Sequence, residues 1–117
     1  MVSISTTVMS DIGVPIKVRY YQVSWDGLFH GYIEIPCVNK RGPWSYDFEV
    51  KVYGTRSKYG INNGHIRELC VVDSDGCASV INYRRRWYLE PYYPQEYAAL
   101  NALLTIFDTL QEWEVLD

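Results

Sequence analysis

Two stretches hold residue types whose spacing suits chemistry. SKYGINNGHIREL, residues 57–69, gathers Tyr59, Gly60, Asn62, Asn63 and Gly64 and then places Arg67 at the start of a strand-like run. Glycine accepts φ > 0 without steric penalty, and asparagine tolerates the left-handed region better than most residues. A backbone turning this tightly can aim several N–H groups at one point, and such a nest holds an anion. The same residues also build an ordinary connection between strands. NYRRRWYLEPYY, residues 82–93, interleaves rings and guanidinium groups. On an extended strand Tyr83, Arg85 and Trp87 share one face, while Arg84 and Arg86 take the other. Ile81 continues the Tyr83 series, so Arg85 is expected on the apolar face. There it needs a carboxylate such as Glu90 or Glu112, or a bound phosphate or carboxylate ligand. Arg84 and Arg86, with Arg67 and Lys58, complete a local basic patch.

Other chemistries find little support. His30 and His65 are the only histidines and form no H-x-x-x-H or H-E-x-x-H pattern, and no nucleophile sits in a recognisable elbow. Cys37, Cys70 and Cys77 show no C-x-x-C spacing, so the expectation is no catalytic residue, no metal site and no cofactor. Pairing Val72 with Cys77 across the DSDG turn sets Cys70 opposite Ser79, and buried reduced thiols are expected. Eleven tyrosines and four tryptophans in 117 residues are an excess suited to contact surfaces. Tyr20, Tyr21, Trp25, Tyr92 and Tyr93 form a candidate protein-contact patch, and the same excess predicts a homodimer or larger assembly. The net charge of −3 neither attracts nucleic acid as a whole nor coats the chain as a nucleic-acid mimic would. With no apolar run of membrane length and no export signal at residues 1–13, a cytoplasmic, membrane-free location is expected.

The elements that must position these residues read as one domain over 1–117: a loose arm or short edge piece of little periodicity at 1–13, antiparallel strands within 15–90 and a helix over 94–113. Ile16, Val18 and Tyr20 alternate, and the slip to Tyr21, Val23 and Trp25 predicts a bulge before the Asp26-Gly27 turn. Phe29, Ile33 and Ile35 alternate next, followed by Trp44, Tyr46, Phe48, Val50 and Val52. HIRELCVVD and CASVINYRRRWYLEP pair as a hairpin. Tyr97, Leu100, Leu103, Leu104, Phe107, Leu110 and Trp113 make one helical stripe, entered through Pro94. The fold class is α+β, an antiparallel sheet of about five strands with the C-terminal helix on one face.

FEVKVYG, SKYGINNGHIREL and YRRRWYLEP together resemble a family of short uncharacterised proteins of bacteria, prophages and phages. That family's pattern runs from a strand through S-x-Y-G-I-x-x-G-R-I and a hairpin to a Tyr-Asp-Arg-Gly-Trp cluster, a proline and a final helix. The resemblance covers residues 46–107. Tyr59, Gly60, Ile61, Gly64 and Ile66 match the first motif, with His65 in place of its arginine. Tyr83, Arg85, Trp87 and Pro91 match the second, with Arg84 and Arg86 in place of its aspartate and glycine. The resemblance implies a phage or prophage setting and no assigned activity. The expectation is a small non-enzymatic binding protein that inhibits bacterial defence. It would do so by occluding a host defence protein such as a CRISPR effector, or by sequestering a nucleotide signal. An RNA- or DNA-binding module of three strands and a helix is the alternative, ranked lower because Pro94, Gln95 and Glu96 stand where basic residues would open the final helix. A structural or oligomerisation module without a ligand is the third reading.

Overall fold

A computed structural model describes residues 3–11, 13–37 and 42–108. Seven strands among them form one antiparallel sheet in sequence order: β1 (Ile4–Met9), β2 (Pro15–Ser24), β3 (Leu28–Ile35), β4 (Trp44–Val52), β5 (Ile66–Asp73), β6 (Ser79–Arg84) and β7 (Trp87–Leu89). A single helix, α1 (Pro94–Phe107), follows. No helix among the described residues is long and apolar enough to cross a membrane.

The α+β class holds, but the sheet has seven strands where about five were expected. One extra strand comes from within residues 1–13, which supply the edge piece and not the loose arm: Ile4, Thr6 and Val8 pair with Tyr20, Val18 and Ile16, and β-branched side chains suit a half-buried pleat. The other comes from dividing the last run at Arg85, so that Tyr83 pairs with Trp87 and β7 turns back along β6. The bulge in β2 also lies later than the phase slip implied. Pairing with β3 is regular through Gln22 opposite Phe29, and Val23 is the extra residue. Across the β5–β6 turn Val72 meets Ser79, not Cys77, and a register shift between Val71 and Val72 then sets Cys70 opposite Asn82. The three cysteines are free, but they are not uniformly buried: Cys77 is exposed, and Cys37 and Cys70 are half-buried.

One face of the sheet carries the core. Ile16, Val18, Phe29, Ile33, Tyr46, Phe48, Val50, Leu69, Val71 and Ile81 are buried there. The helix lays Ala99, Leu100, Ala102, Leu103 and Phe107 onto this face, and its contacts run to β1, β2, β3 and β4. The Phe107 ring is the hub, with centroids 5.1 Å from Tyr20, 5.2 Å from Phe29 and 6.0 Å from Phe48. Tyr97, expected in the stripe, is exposed on the helix flank instead. Leu110, Trp113 and Glu112 lie outside the described residues. At the helix start, the Glu96 carboxylate accepts the N–H groups of Tyr92 at 2.7 Å and Tyr93 at 3.1 Å, closing one half of a capping box.

In a meander, alternate connections fall at the same end of the sheet. The β2–β3 turn, the 53–65 connection and the β6–β7 turn therefore share one end, as the Val52 N–H bond to the Gly27 carbonyl at 3.0 Å reflects. The helix begins at the opposite end and brings Asp108 back to the first.

Candidate functional site

The 53–65 connection is built around two close approaches. Gly60 has φ −80 and Gly64 φ −108, so neither takes the left-handed conformation. Asn62 and Asn63 take it, at φ 54 and 57. The glycines are needed for space. A Cβ on Gly60 would collide with the Gly64 carbonyl oxygen, and one on Gly64 with the Asp108 carboxylate. Ile61 between them is buried and joins the core.

Five of the loop's amides are turned inward. Ser57 N–H bonds the Gly64 carbonyl at 3.0 Å, Tyr59 N–H the Ser57 hydroxyl at 3.2 Å, and Gly60 N–H the Ser57 carbonyl at 3.0 Å. Asn63 N–H bonds the Gly60 carbonyl at 3.1 Å and Gly64 N–H the Ile61 carbonyl at 3.0 Å. His65 N–H donates to Asp108 Oδ1 at 3.2 Å. These five donors, committed to the loop's own oxygens, are not free to join a nest, and their bonding is that of a structured turn. What the loop offers outward is the Tyr59 ring, 44% exposed, with the Lys58 ammonium and the side chains of Asn62 and Asn63.

Asp108 lies in neither stretch. A carboxylate just past the end of a helix opposes the macrodipole and needs compensation, which was the available signal. Here the His65 amide and the Arg56 guanidinium, 3.4 Å away, supply it. His65 is buried and donates Nδ1–H to the Tyr53 carbonyl at 3.2 Å, a structural arrangement. His30 lies on the open sheet face with Nε2 3.1 Å from Glu49.

The second stretch meets the first here. The Tyr83 hydroxyl, buried among core residues, donates to the Tyr59 carbonyl at 2.9 Å. Burial, with a smaller contribution from Tyr53, raises its pKa, which keeps the donor proton in place. Trp87 sets its ring edge-on to Tyr83 at 5.0 Å. Arg85 does not enter the apolar face: it occupies the β6–β7 turn at φ 64, exposed, because strand alternation ends at Arg84. Its guanidinium lies 4.8 Å from the Tyr59 ring centroid, and Lys58 Nζ lies 5.1 Å from the same ring. Arg67 sits over Tyr53 at 5.6 Å and Arg86 over Tyr88 at 4.7 Å. Tyr59, Gly60, Gly64, Tyr83, Arg85 and Trp87 are thus held at one end of the sheet by both stretches.

The proposed aromatic contact patch does not assemble. Tyr20 is core, against Phe107. Tyr21 lies on the open face beside His30, with ring centroids 6.0 Å apart. Trp25, 70% exposed, tips the β2–β3 turn at the Tyr59 end, whereas Tyr92 and Tyr93 precede the helix at the other. Among the described residues no three His, Cys, Asp or Glu side chains converge as a metal ion would require.

Neither a curated protein nor a solved structure matches the chain. The match to a family with no assigned function begins earlier than residue 46 and takes in the third strand. From the first residue of β3 to Asp108, residues 28–108, the chain belongs to the family described as domain of unknown function DUF7678.

Proposed function

We propose that this protein acts by binding, without turning over a substrate, and that its contact surface is the end of the sheet carrying Lys58, Tyr59 and Arg85. The observation that carries this reading is the left-handed Arg85. A non-glycine residue at positive φ is disfavoured by about 1 kcal/mol or more, and Gly or Asn fills such a turn position more cheaply. A strained, exposed arginine whose cation is stacked on the ring of a residue whose backbone carbonyl is held by Tyr83 is a mark of function more than of stability. The stack returns only about 0.5–1 kcal/mol at an exposed site.

The shape favours occlusion over sequestration. A nucleotide signal would need a pocket walled by Arg85, Trp87 and Tyr59, whereas Arg85 and Tyr59 form an exposed stack, Trp87 packs half-buried against Tyr83, and Trp25 is exposed at the same end. Within the binding class, stoichiometric inhibition of a bacterial defence protein rests on the resemblance to short phage and prophage proteins. The Arg67–Tyr53 and Arg86–Tyr88 pairs favour a second reading, single-stranded nucleic acid stacked on rings. Against it, the Tyr59 ring is already flanked by two of the protein's own cations, and the chain is net acidic.

The test is phage plaquing on bacteria that each carry one defence system and express the wild type or Arg85→Ala. Restored plaquing with the wild type and its loss with Arg85→Ala, at equal protein level, supports the reading. Equal restoration by both removes Arg85 from the surface. Salt-sensitive retention of an oligonucleotide by the purified protein would favour the nucleic-acid reading.

A further inference from the structure

The two edges of the sheet are treated differently. β7 is three residues long and is bracketed by Arg84, Arg85 and Arg86 on one side and Glu90-Pro91 on the other, the charges and proline that guard an edge against pairing. β1 is six residues, ISTTVM, with no charge, no proline and no glycine. Its end residues Ile4 and Met9 are 48% and 61% exposed, and among the described residues it pairs only with β2.

The hydrogen-bond phase shows which groups face outward. Ser10 N–H donates to the Val14 carbonyl at 3.0 Å, and Pro15, which has no N–H, stands opposite Met9. Bonding residues alternate along an antiparallel ladder, so Ile4, Thr6 and Val8 aim their backbone groups at β2. Ser5, Thr7 and Met9 aim theirs outward. On the helix side of the same strand lies an apolar groove of about 500 Å³, lined by Val8, Met9, Ile35, Trp44, Tyr97 and Ala98 among others.

We propose that β1 pairs antiparallel with β1 of a second copy, joining two sheets into one continuous sheet about a two-fold axis. Such an axis stands perpendicular to the sheet, and opposed residues in an antiparallel pair share a face, so one residue must face its own copy. Centring on Thr6 lets Ser5 and the partner's Thr7 exchange N–H···O bonds on both sides of the axis. It also sets Ile4 against the partner's Val8 at the mouth of that groove, covering an exposed isoleucine. Centring on Thr7 would leave Ile4 outside the contact. A second copy fits better than a charged partner because both strands bring only hydroxyl and apolar side chains, so no charge is desolvated without compensation. The contact lies on the edge away from Arg85 and stands or falls independently of the binding surface.

The full chain is run by sedimentation equilibrium with two variants. The wild type is expected at twice 13.7 kDa at micromolar concentration. Thr7→Pro removes an outward N–H while leaving the β1–β2 bonds, and is expected to be a folded monomer. Thr6→Cys, made with Cys77→Ser to remove the exposed thiol, is expected to form an interchain disulfide on mild oxidation, since directly opposed non-hydrogen-bonded residues are about 4.5 Å apart at Cα. If Thr7→Pro unfolds, the Thr6→Cys crosslink decides alone. A wild type that stays at 13.7 kDa, or a dimer in which Thr6→Cys does not crosslink, overturns the proposal.

Discussion

Asp108 and His65 are joined by a hydrogen bond of 3.2 Å from the His65 amide to Oδ1, which ties the end of the helix to the loop that presents Tyr59. The side chain of Asp108 is only 15% exposed, so the amide has little access to water as a substitute. Asp108→Ala is expected to lower stability by about 1–3 kcal/mol, the range for leaving a buried donor without a partner. Chemical denaturation measures the loss, and faster hydrogen exchange at the His65 amide locates it. Unchanged exchange there would show that the tie does not hold the loop.

Gly60→Ala is expected to destabilise by about 1–3 kcal/mol, because its Cβ meets the Gly64 carbonyl oxygen and backbone must move. Gly42→Ala, with open space around its Cβ, is the control and is expected to melt like the wild type. If both variants melt alike, the close approach is not a constraint.

Leu103→Asp is expected to prevent folding, since Leu103 is fully buried and a carboxylate there has no designed partner. Tyr97→Ser, on the exposed flank of the same helix, is expected to change the melting temperature little. Circular dichroism of the two variants checks both.

Alkaline pH is expected to unfold the protein. Burial first, then Glu96 and Asp73, push the Tyr46 hydroxyl up to about 12 from its ordinary 10.0. Burial raises Tyr20 and Tyr83 as well. A pKa raised in the folded state favours the protonated folded form, so the contribution is complete below pH 10 and declines as pH rises towards 12. Tyr46→Phe is expected to flatten that decline in urea midpoints measured across the window. An unchanged slope would remove Tyr46 as its source.

Much of this architecture could be read from alternation. The core faces of β3 and β4 and the buried Leu100, Leu103 and Phe107 follow directly from periods of two and three to four. β1 carries little periodicity in its own sequence, ISTTVM, and it takes its stability from pairing with β2, which is a tertiary fact. Arg85 leaves the apolar face that period two assigns it because the strand breaks at Arg84, and a turn made of arginines carries no Gly, Asn or Pro to announce itself. The glycine loop was recognised for the wrong physical reason: its asparagines take the positive φ values while its glycines make room for a carbonyl and a carboxylate. The convergence of the two stretches on Tyr59 rests on the bond from the Tyr83 hydroxyl to the Tyr59 carbonyl, a contact between residues 24 apart that local pattern does not announce.

Arg85→Gly separates function from stability most directly. Glycine relieves the positive φ and loses the stack on Tyr59, effects of similar size and opposite sign, so the melting temperature is expected to stay within a few degrees of the wild type. Binding of the defence protein that the proposed function invokes, read by capture at equal bait concentration, is expected to fall tens-fold, as the loss of a charged contact of about 2 kcal/mol implies. A variant that captures the same partner as strongly as the wild type while melting many degrees lower would contradict the account and make Arg85 a purely structural residue.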